Sequence, residues 1–300
     1  MTGGRKSGFV ALLGRPNVGK STLMNRILGV KIAIVTNKPQ TTRDRIAGIH
    51  TGEKGQIVFL DSPGIHRPGK ALNVHMVKTA ERIASESDIA VHLVDNRPGD
   101  SGEEETLVRG VLANLSVPRL LAVNKVDLLG ESAAVELRDR LMGTGLYREG
   151  YLLSAKTGRG VEGFLSGIFA ILPEGPAYYP EEDLTDLPMR FIAQEIIREK
   201  LFEALSEELP YSIAVSIEEY KEEPEKRLIR IRAEICVERD SQKGILIGKG
   251  GRMLKRIGTE ARQDLEKETG ERVYLELFVK VEPEWTRSET MLRRLGYEPG

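Results

Sequence analysis

Four separated stretches in the first half of the chain carry the residue types needed to hold a magnesium-complexed nucleoside triphosphate. Gly14-Arg15-Pro16-Asn17-Val18-Gly19-Lys20-Ser21, followed by Thr22, fits the pattern G-x-x-x-x-G-K-[ST]. Glycines there let backbone N–H groups converge on phosphate oxygens, and the start of a following helix adds a positive dipole. Lys20 would reach the β- and γ-phosphates, and the Ser21 hydroxyl would go to Mg2+. In Asp61-Ser62-Pro63-Gly64, Asp61 is suited to hold Mg2+ directly or through water, and the Gly64 amide to meet the γ-phosphate. Asn124-Lys125-Val126-Asp127 and Ser154-Ala155-Lys156 choose the base. A carboxylate at Asp127 accepts from both N1–H and N2–H2 of guanine, whereas adenine has neither donor and would leave it unpaired. Sites built on such bonds reject the analogue by roughly 10⁴-fold. A backbone amide in 154–156 can serve guanine O6, and the stems of Lys125 and Lys156 can sandwich the ring.

These stretches need elements to bring them together. Near-continuous apolar runs at Phe9–Leu13, Ile57–Leu60, Ile89–Val94, Leu120–Val123 and Tyr151–Leu153 read as strands buried on both faces of a mostly parallel sheet. Helical patterns fall at about 19–28, 72–86, 103–115, 131–142 and 161–171, which makes the first part a doubly wound α/β domain. Each motif then ends a strand, where open α/β sheets place their ligands. In this order and context the motifs resemble the translation-factor-related P-loop GTPases. That resemblance implies GTP or GDP as ligand, slow intrinsic hydrolysis of GTP, and a threonine ligand to Mg2+ from a loop at about 33–45. Thr41 and Thr42, in Pro39-Gln40-Thr41-Thr42-Arg43, are the candidates, with Thr42 favoured. Ile65 stands where Ras-type enzymes carry a glutamine that orients water, so the electrostatics of hydrolysis must come from elsewhere. Lys20, Thr42, Gly64 and Asn17 are the catalytic candidates; the carbonyl of Asn17 is suited to hold K+.

Beyond Gly175 the composition changes. Pro176, Pro180 and Pro188 and the acidic run Glu181-Glu182-Asp183 mark 176–189 as a linker between a first domain at 1–175 and a second at 190–300. The second half reads as a helix at about 190–208, alternating strands around 213–217, 229–237 and 273–281, a glycine-rich turn at 248–251 inside a helical stretch of 242–269, and a last helix at about 285–295. The turn Ile247-Gly248-Lys249-Gly250-Gly251-Arg252 is an I-G-x-x-G, with Lys255 and Arg256 just beyond it. Ile247, Leu254 and Ile257 read as inward-facing. The order α-β-β-α-α-β and the G-x-x-G resemble a type II KH domain, a small α+β fold in which the turn clamps the backbone of single-stranded nucleotides.

The bulk numbers set limits. Net charge is −1, and residues 181–300 hold 21 basic against 27 acidic side chains, so no whole-chain charge argues for nucleic acid. Locally the sign reverses: 241–262 holds six basic residues and only Glu260 as acid. Cys236 is the single cysteine, in an apolar alternation that reads as plain burial, so no intramolecular disulfide or thiolate metal cage is available and a reducing compartment fits. The N-terminal residues do not read as a secretory signal and no run approaches a spanning helix. The four histidines show no metal-ligand spacing, and Trp285 reads as core.

Together, a P-loop containing Asn17, Thr41-Thr42-Arg43, a proline-rich linker and a terminal KH domain resemble the Era family of bacterial ribosome-assembly GTPases over nearly the whole chain; Ser62 stands where threonine is usual. The resemblance implies a GTP-dependent switch that binds 16S ribosomal RNA near its 3′ end during maturation of the 30S subunit. It further implies a cytoplasmic monomer with loose peripheral association with the inner membrane. A GTPase coupled to tRNA modification and a constitutive RNA-binding module are the alternatives.

Overall fold

The computed structural model describes residues 4–36, 38, 41–67, 71–96, 102–206 and 209–297. Pro39 and Gln40 of the expected switch loop lie outside them. The chain forms two compact units, the first running to Asp186 and the second from Leu187.

The first unit is a six-stranded sheet with helices on both faces. Its elements are β1 (Lys6–Leu13), α1 (Lys20–Leu28), β2 (Ile46–Gly52), β3 (Gly55–Asp61), α2 (Ala71–Ser85), β4 (Ile89–Val94), α3 (Glu103–Ala113), β5 (Arg119–Val123), α4 (Val126–Leu129), α5 (Glu131–Met142), β6 (Glu149–Leu152) and α6 (Val161–Ile171). The sheet order is β2-β3-β1-β4-β5-β6. All pairs are parallel except β2 with β3. Val10–Leu13 and Ile57–Phe59 are fully buried or nearly so, as strands covered on both faces must be.

The five strands and five helices read from the sequence are present. Two elements were not legible. Strand β2 carries glycines at 48 and 52 and a weak alternation; it exists because it pairs antiparallel with β3 across a tight turn, Gly52 opposite Gly55. The single turn α4 follows Lys125, whose backbone is left-handed at φ 61°.

The proline-rich stretch is bound rather than free. Gln56, fully buried, accepts from the amides of Tyr178 (2.8 Å) and Tyr179 (3.0 Å) and donates to the Tyr179 carbonyl (2.9 Å). The Ile49 amide donates to Leu184 O (2.9 Å) and the Thr185 hydroxyl to Ala47 O (2.7 Å). Proline content rules out a regular element, but the Tyr178, Tyr179 and Leu184 backbone groups find partners on β2 and β3, so the first unit extends past residue 175.

The second unit contains α7 (Met189–Ala204), β7 (Ala214–Glu223), β8 (Leu228–Val237), α8 (Asp240–Ile247), α9 (Arg252–Thr269), β9 (Arg272–Val281) and α10 (Glu289–Arg294). The sheet order is β7-β8-β9, antiparallel then parallel. Helix α7 stops at Ala204, where Leu205 is extended, short of the expected 208; residues 207–208 lie outside the described set. Ile197, Leu201, Ile231, Ile235, Ile257, Ala261 and Leu265 form its apolar core. The inward position at the end of α8 is Leu246, fully buried, whereas Ile247 is half-buried, because neighbouring helix positions point about 100° apart. Trp285 is fully buried and donates to Ser212 O at 2.9 Å, and Cys236 is buried, as expected of both. Burial pushes the Cys236 thiol up to about 12.

Candidate nucleotide site and nucleic-acid interface

Strands β1, β3, β5 and β6 end on one rim of the sheet, and the four motifs meet there around a cavity of about 670 Å³. Pro16, Asn17, Gly19, Lys20, Ser21 and Thr22 line it from the P-loop, Gly64 from the loop after β3, Asn124, Lys125 and Asp127 from the loop after β5, and Ala155 and Lys156 from the loop after β6. Thr41 and Thr42 line it from the switch segment, joined by Ile34, Val35, Thr36 and Leu128, which sequence reasoning did not single out.

The loops are locked to one another by close contacts. At Gly19 (φ 105°) a Cβ would lie 2.3 Å from Asn124 Nδ2, so no side chain fits between P-loop and base loop. Asn124, buried to 1% exposure, donates to Val18 O (2.8 Å) and accepts from the Ala155 amide (2.9 Å), tying three motifs together. Arg26 of α1 donates to the carbonyls of Ala155 (3.1 Å) and Lys156. At Gly64 a Cβ would meet the Pro16 backbone at 2.8 Å.

The charged centre is buried. Lys20 Nζ donates to Gly14 O and Arg15 O, both at 3.0 Å, in the cradle the phosphates would occupy. Burial pulls its pKa down to about 8, against the opposing pull of Asp61, Asp95 and Glu104. Asp61, fully buried, accepts from Ser21 Oγ (2.5 Å) and Thr42 Oγ1 (3.3 Å), and those hydroxyls lie 3.1 Å apart. Burial lifts the Asp61 carboxyl to about 6, opposed by Lys20 and the two hydroxyls. Its Oδ1 is buried without a hydrogen-bond partner. A carboxylate with one orphaned oxygen beside two hydroxyls is a hard oxygen donor set that suits Mg2+. Thr42, not Thr41, completes this triangle.

Several expected residues are present but turned elsewhere. Ser62 is fully buried and donates to Leu12 O (2.6 Å), a bond that a serine or a threonine hydroxyl can make. Ile65 is buried at 1% in the core, with its amide on Gly14 O (3.1 Å), and is not at the cavity. Ser154 is fully buried and accepts from the Thr157 amide at 3.1 Å. Gly14, Val18 and Pro63 contribute backbone shape rather than lining side chains. The Arg15 side chain points away from the cavity, pairing with Asp95 Oδ1 (2.8 Å) and with Glu105 (3.5 Å). Asp95 was missed by sequence reading; its only signal was an acid directly after a buried strand. Among the described residues no cluster of His, Cys, Asp and Glu has a metal-binding arrangement. His92, fully buried, lies 2.8 Å from the Tyr147 hydroxyl, and burial pushes it down to about 3, so it is neutral.

In the second unit, Gly248, Gly250 and Gly251 have φ of 70°, 62° and 77°, a turn that joins α8 to α9 and presents bare backbone. Beside it runs a groove of about 390 Å³ lined by Gly251, Leu254, Lys255, Gly258, Thr259, Arg262, Leu275 and Leu277. Lys249, Arg252, Lys255 and Arg256 are exposed around it, as a backbone clamp for a polyanion requires. Gly248, Gly250 and half-buried Ile247 form the turn without lining the groove. Gly258, Thr259, Arg262, Leu275 and Leu277 went unread, because nothing local marks which faces of a helix and a distant strand share a groove.

A P-loop nucleotide site that discriminates guanine, on a mostly parallel sheet and followed by a KH fold, defines a GTPase of the RNA-associated class. The description "50S ribosome-binding GTPase" matches residues 9–125 and "KH domain" matches residues 208–286. GTPase Era of Geobacter metallireducens is 49% identical over 292 residues, covering 97% of this chain and 98% of that one. GTPase Era of Carboxydothermus hydrogenoformans is 44% identical, covering 97% and 98%. Among solved structures, an Aquifex aeolicus Era variant bound to GDP·AlF4− superposes with a TM-score of 0.89 at 39% identity, covering 97% of this chain and 99% of that one. An Era complex with MgGDPNP and nucleotides 1506–1542 of 16S ribosomal RNA gives 0.90 at 39%, covering 98% and 99%. The chain belongs to the GTPase Era family.

Proposed function

We propose that this GTPase is a nucleotide-gated binder of the 3′ end of 16S ribosomal RNA that acts in maturation of the 30S subunit. One observation carries the reading: both halves of a ligand-bound relative are reproduced in this chain, since the Era structure holding MgGDPNP and 16S nucleotides 1506–1542 matches 98% of it. The exposed basic lip at Lys249, Arg252, Lys255 and Arg256 supports the RNA half. Loose association with the inner membrane belongs to the same reading; among the described residues no helix is long and apolar enough to cross a membrane.

In the nucleotide half, the P-loop amides and Lys20 bind the β- and γ-phosphates, and Gly64 meets the γ-phosphate. Asp127 reads the guanine edge while Lys125 and Lys156 flank the ring. Ser21, Thr42 and Asp61 hold Mg2+, which when bound supplies charge neutralisation at the phosphates. Ile65 is withdrawn into the core and has no polar group with which to orient water. Asn17 would hold K+ through its side-chain carbonyl; its position lining the cavity, with left-handed backbone at φ 61°, supports that reading. Equal turnover in matched potassium and sodium buffers would remove that role.

The test of the whole reading is the affinity for a 16S 3′-end oligonucleotide with GDP and with a non-hydrolysable GTP analogue. Tighter binding in the analogue-bound state supports a gate; identical affinities remove it. Crosslinking in cells followed by sequencing of the attached RNA checks the target, and contacts scattered over tRNAs would overturn the ribosomal assignment.

A further inference from the structure

We propose that Asp95 is a positioning residue for guanine-nucleotide binding, which acts by fixing the Lys125 ammonium; the proposal rests on the base-site reading given above. Asp95 follows β4 directly, and the neighbouring strand β5 leads straight into Asn124 and Lys125, whose approach is set by the Asn124 amide on Val94 O (2.8 Å). The carboxylate therefore sits between the P-loop and the base loop, at 8% exposure. Its two oxygens are divided between two cations, Oδ1 with Arg15 at 2.8 Å and Oδ2 with Lys125 Nζ at 2.6 Å.

The two cations do not depend on it equally. Arg15 has a second carboxylate, Glu105, at 3.5 Å and a further bond to the Asp95 main-chain carbonyl at 3.1 Å. The Lys125 ammonium is held by Asp95 and by the Asn17 carbonyl at 2.7 Å. Removing the carboxylate charge leaves Arg15 paired but takes from Lys125 its one anionic partner among the described residues. The stem of Lys125 forms one wall of the base cavity, and Lys125 and Asn17 both adopt left-handed backbone at φ 61°. A charged pair of this length is among the stronger protein hydrogen bonds. It pins the far end of the stem, so the wall stands ready before the base arrives, and its loss is read mainly in how fast nucleotide leaves.

The experiment is a two-by-two comparison of GDP dissociation rates, measured by displacement of a fluorescent GDP from the full chain. The variants are Asp95→Asn, Lys125→Met and the pair. Asp95→Asn is expected to speed dissociation by about tenfold, the worth of one charge-assisted hydrogen bond. In the Lys125→Met background the same change is expected to matter by less than about twofold, because its partner is gone. A purely structural role predicts the same factor in both backgrounds, and that result overturns the proposal. Faster dissociation in Lys125→Met with no effect of Asp95→Asn overturns the proposal alone. An unchanged rate in Lys125→Met overturns the base-site reading and the proposal with it. If Asp95→Asn does not fold, Asp95→Glu, which keeps the charge but displaces it by a methylene, is read in the same two backgrounds by the same criteria.

Discussion

Asn124 gives the sharpest test of how the nucleotide site is built. Its side chain is buried to 1% exposure. It donates to Val18 O in the P-loop at 2.8 Å and accepts from the Ala155 amide at 2.9 Å. Asn124→Ala removes both at once and leaves a carbonyl and an amide buried without partners. Each orphan costs about 1–3 kcal/mol, and water entering the cavity relieves part of it, so the expected loss is about 2–3 kcal/mol. At 1.4 kcal/mol per decade this is roughly 30- to 150-fold in nucleotide affinity. The assay is dissociation of a fluorescent GDP, with urea unfolding of the nucleotide-free protein beside it to apportion the loss. Asn124→Asp refines the test: it keeps the acceptor for Ala155 but faces the Val18 carbonyl with an anion. Burial and that carbonyl raise the carboxyl's pKa, and the protonated form can donate again, so its defect is expected to shrink as pH falls. A change below about threefold in Asn124→Ala, with an unmoved urea midpoint, would refute the idea that this one amide joins the three motifs.

Other consequences can be checked alongside. Thr42→Ala is expected to weaken Mg2+-dependent GTP binding by about tenfold while Thr41→Ala leaves it within about twofold, measured by Mg2+ titration; the reverse order would transfer the role to Thr41. Lys20 is held near pKa 8 by burial, and phosphates restore its full charge. The bound form therefore holds more proton than the free form, and GTP binding should take up about half a proton at pH 8, more above it, an uptake that fades towards pH 6. Calorimetry in buffers of different ionisation enthalpy measures it, and buffer-independent heats at pH 8 would contradict the burial argument. Lys249→Glu is expected to weaken binding of a 16S 3′-end oligonucleotide by about tenfold or more and to leave GTP turnover unchanged; parallel loss of both would mean that the turn serves the fold instead.

The sequence was most informative where a residue's job is local. Gly19-Lys20-Ser21, Asp61 and Asn124 each sit at the end of a buried strand, and a run of apolar residues announces such a strand without reference to the rest of the chain. It was least informative where the partner is distant. Strand β2 is held by β3 rather than by its own alternation, and Asp95 earns notice only once Arg15 and Lys125 are seen to converge on it. Thr42 is favoured over Thr41 in the sequence, and its contact with Asp61 separates the two adjacent threonines, which are indistinguishable by type. Ser62, Ile65 and Arg15 were read as site residues by position in a motif, whereas their side chains stabilise the loops from behind.

The strap of residues 176–186 also bears on where this protein can be cut. Strand β2 is the outer edge of its sheet, and outer edges left bare recruit other chains. Here the Ile49 amide, the Ala47 carbonyl and the Gln56 amide group are all occupied by the strap. A fragment ended at Gly175, where composition first changes, would expose that row and leave the buried Gln56 without the Tyr178 and Tyr179 backbone partners of its amide oxygen. Such a fragment would self-associate at concentrations where one ended after Asp186 stays monodisperse.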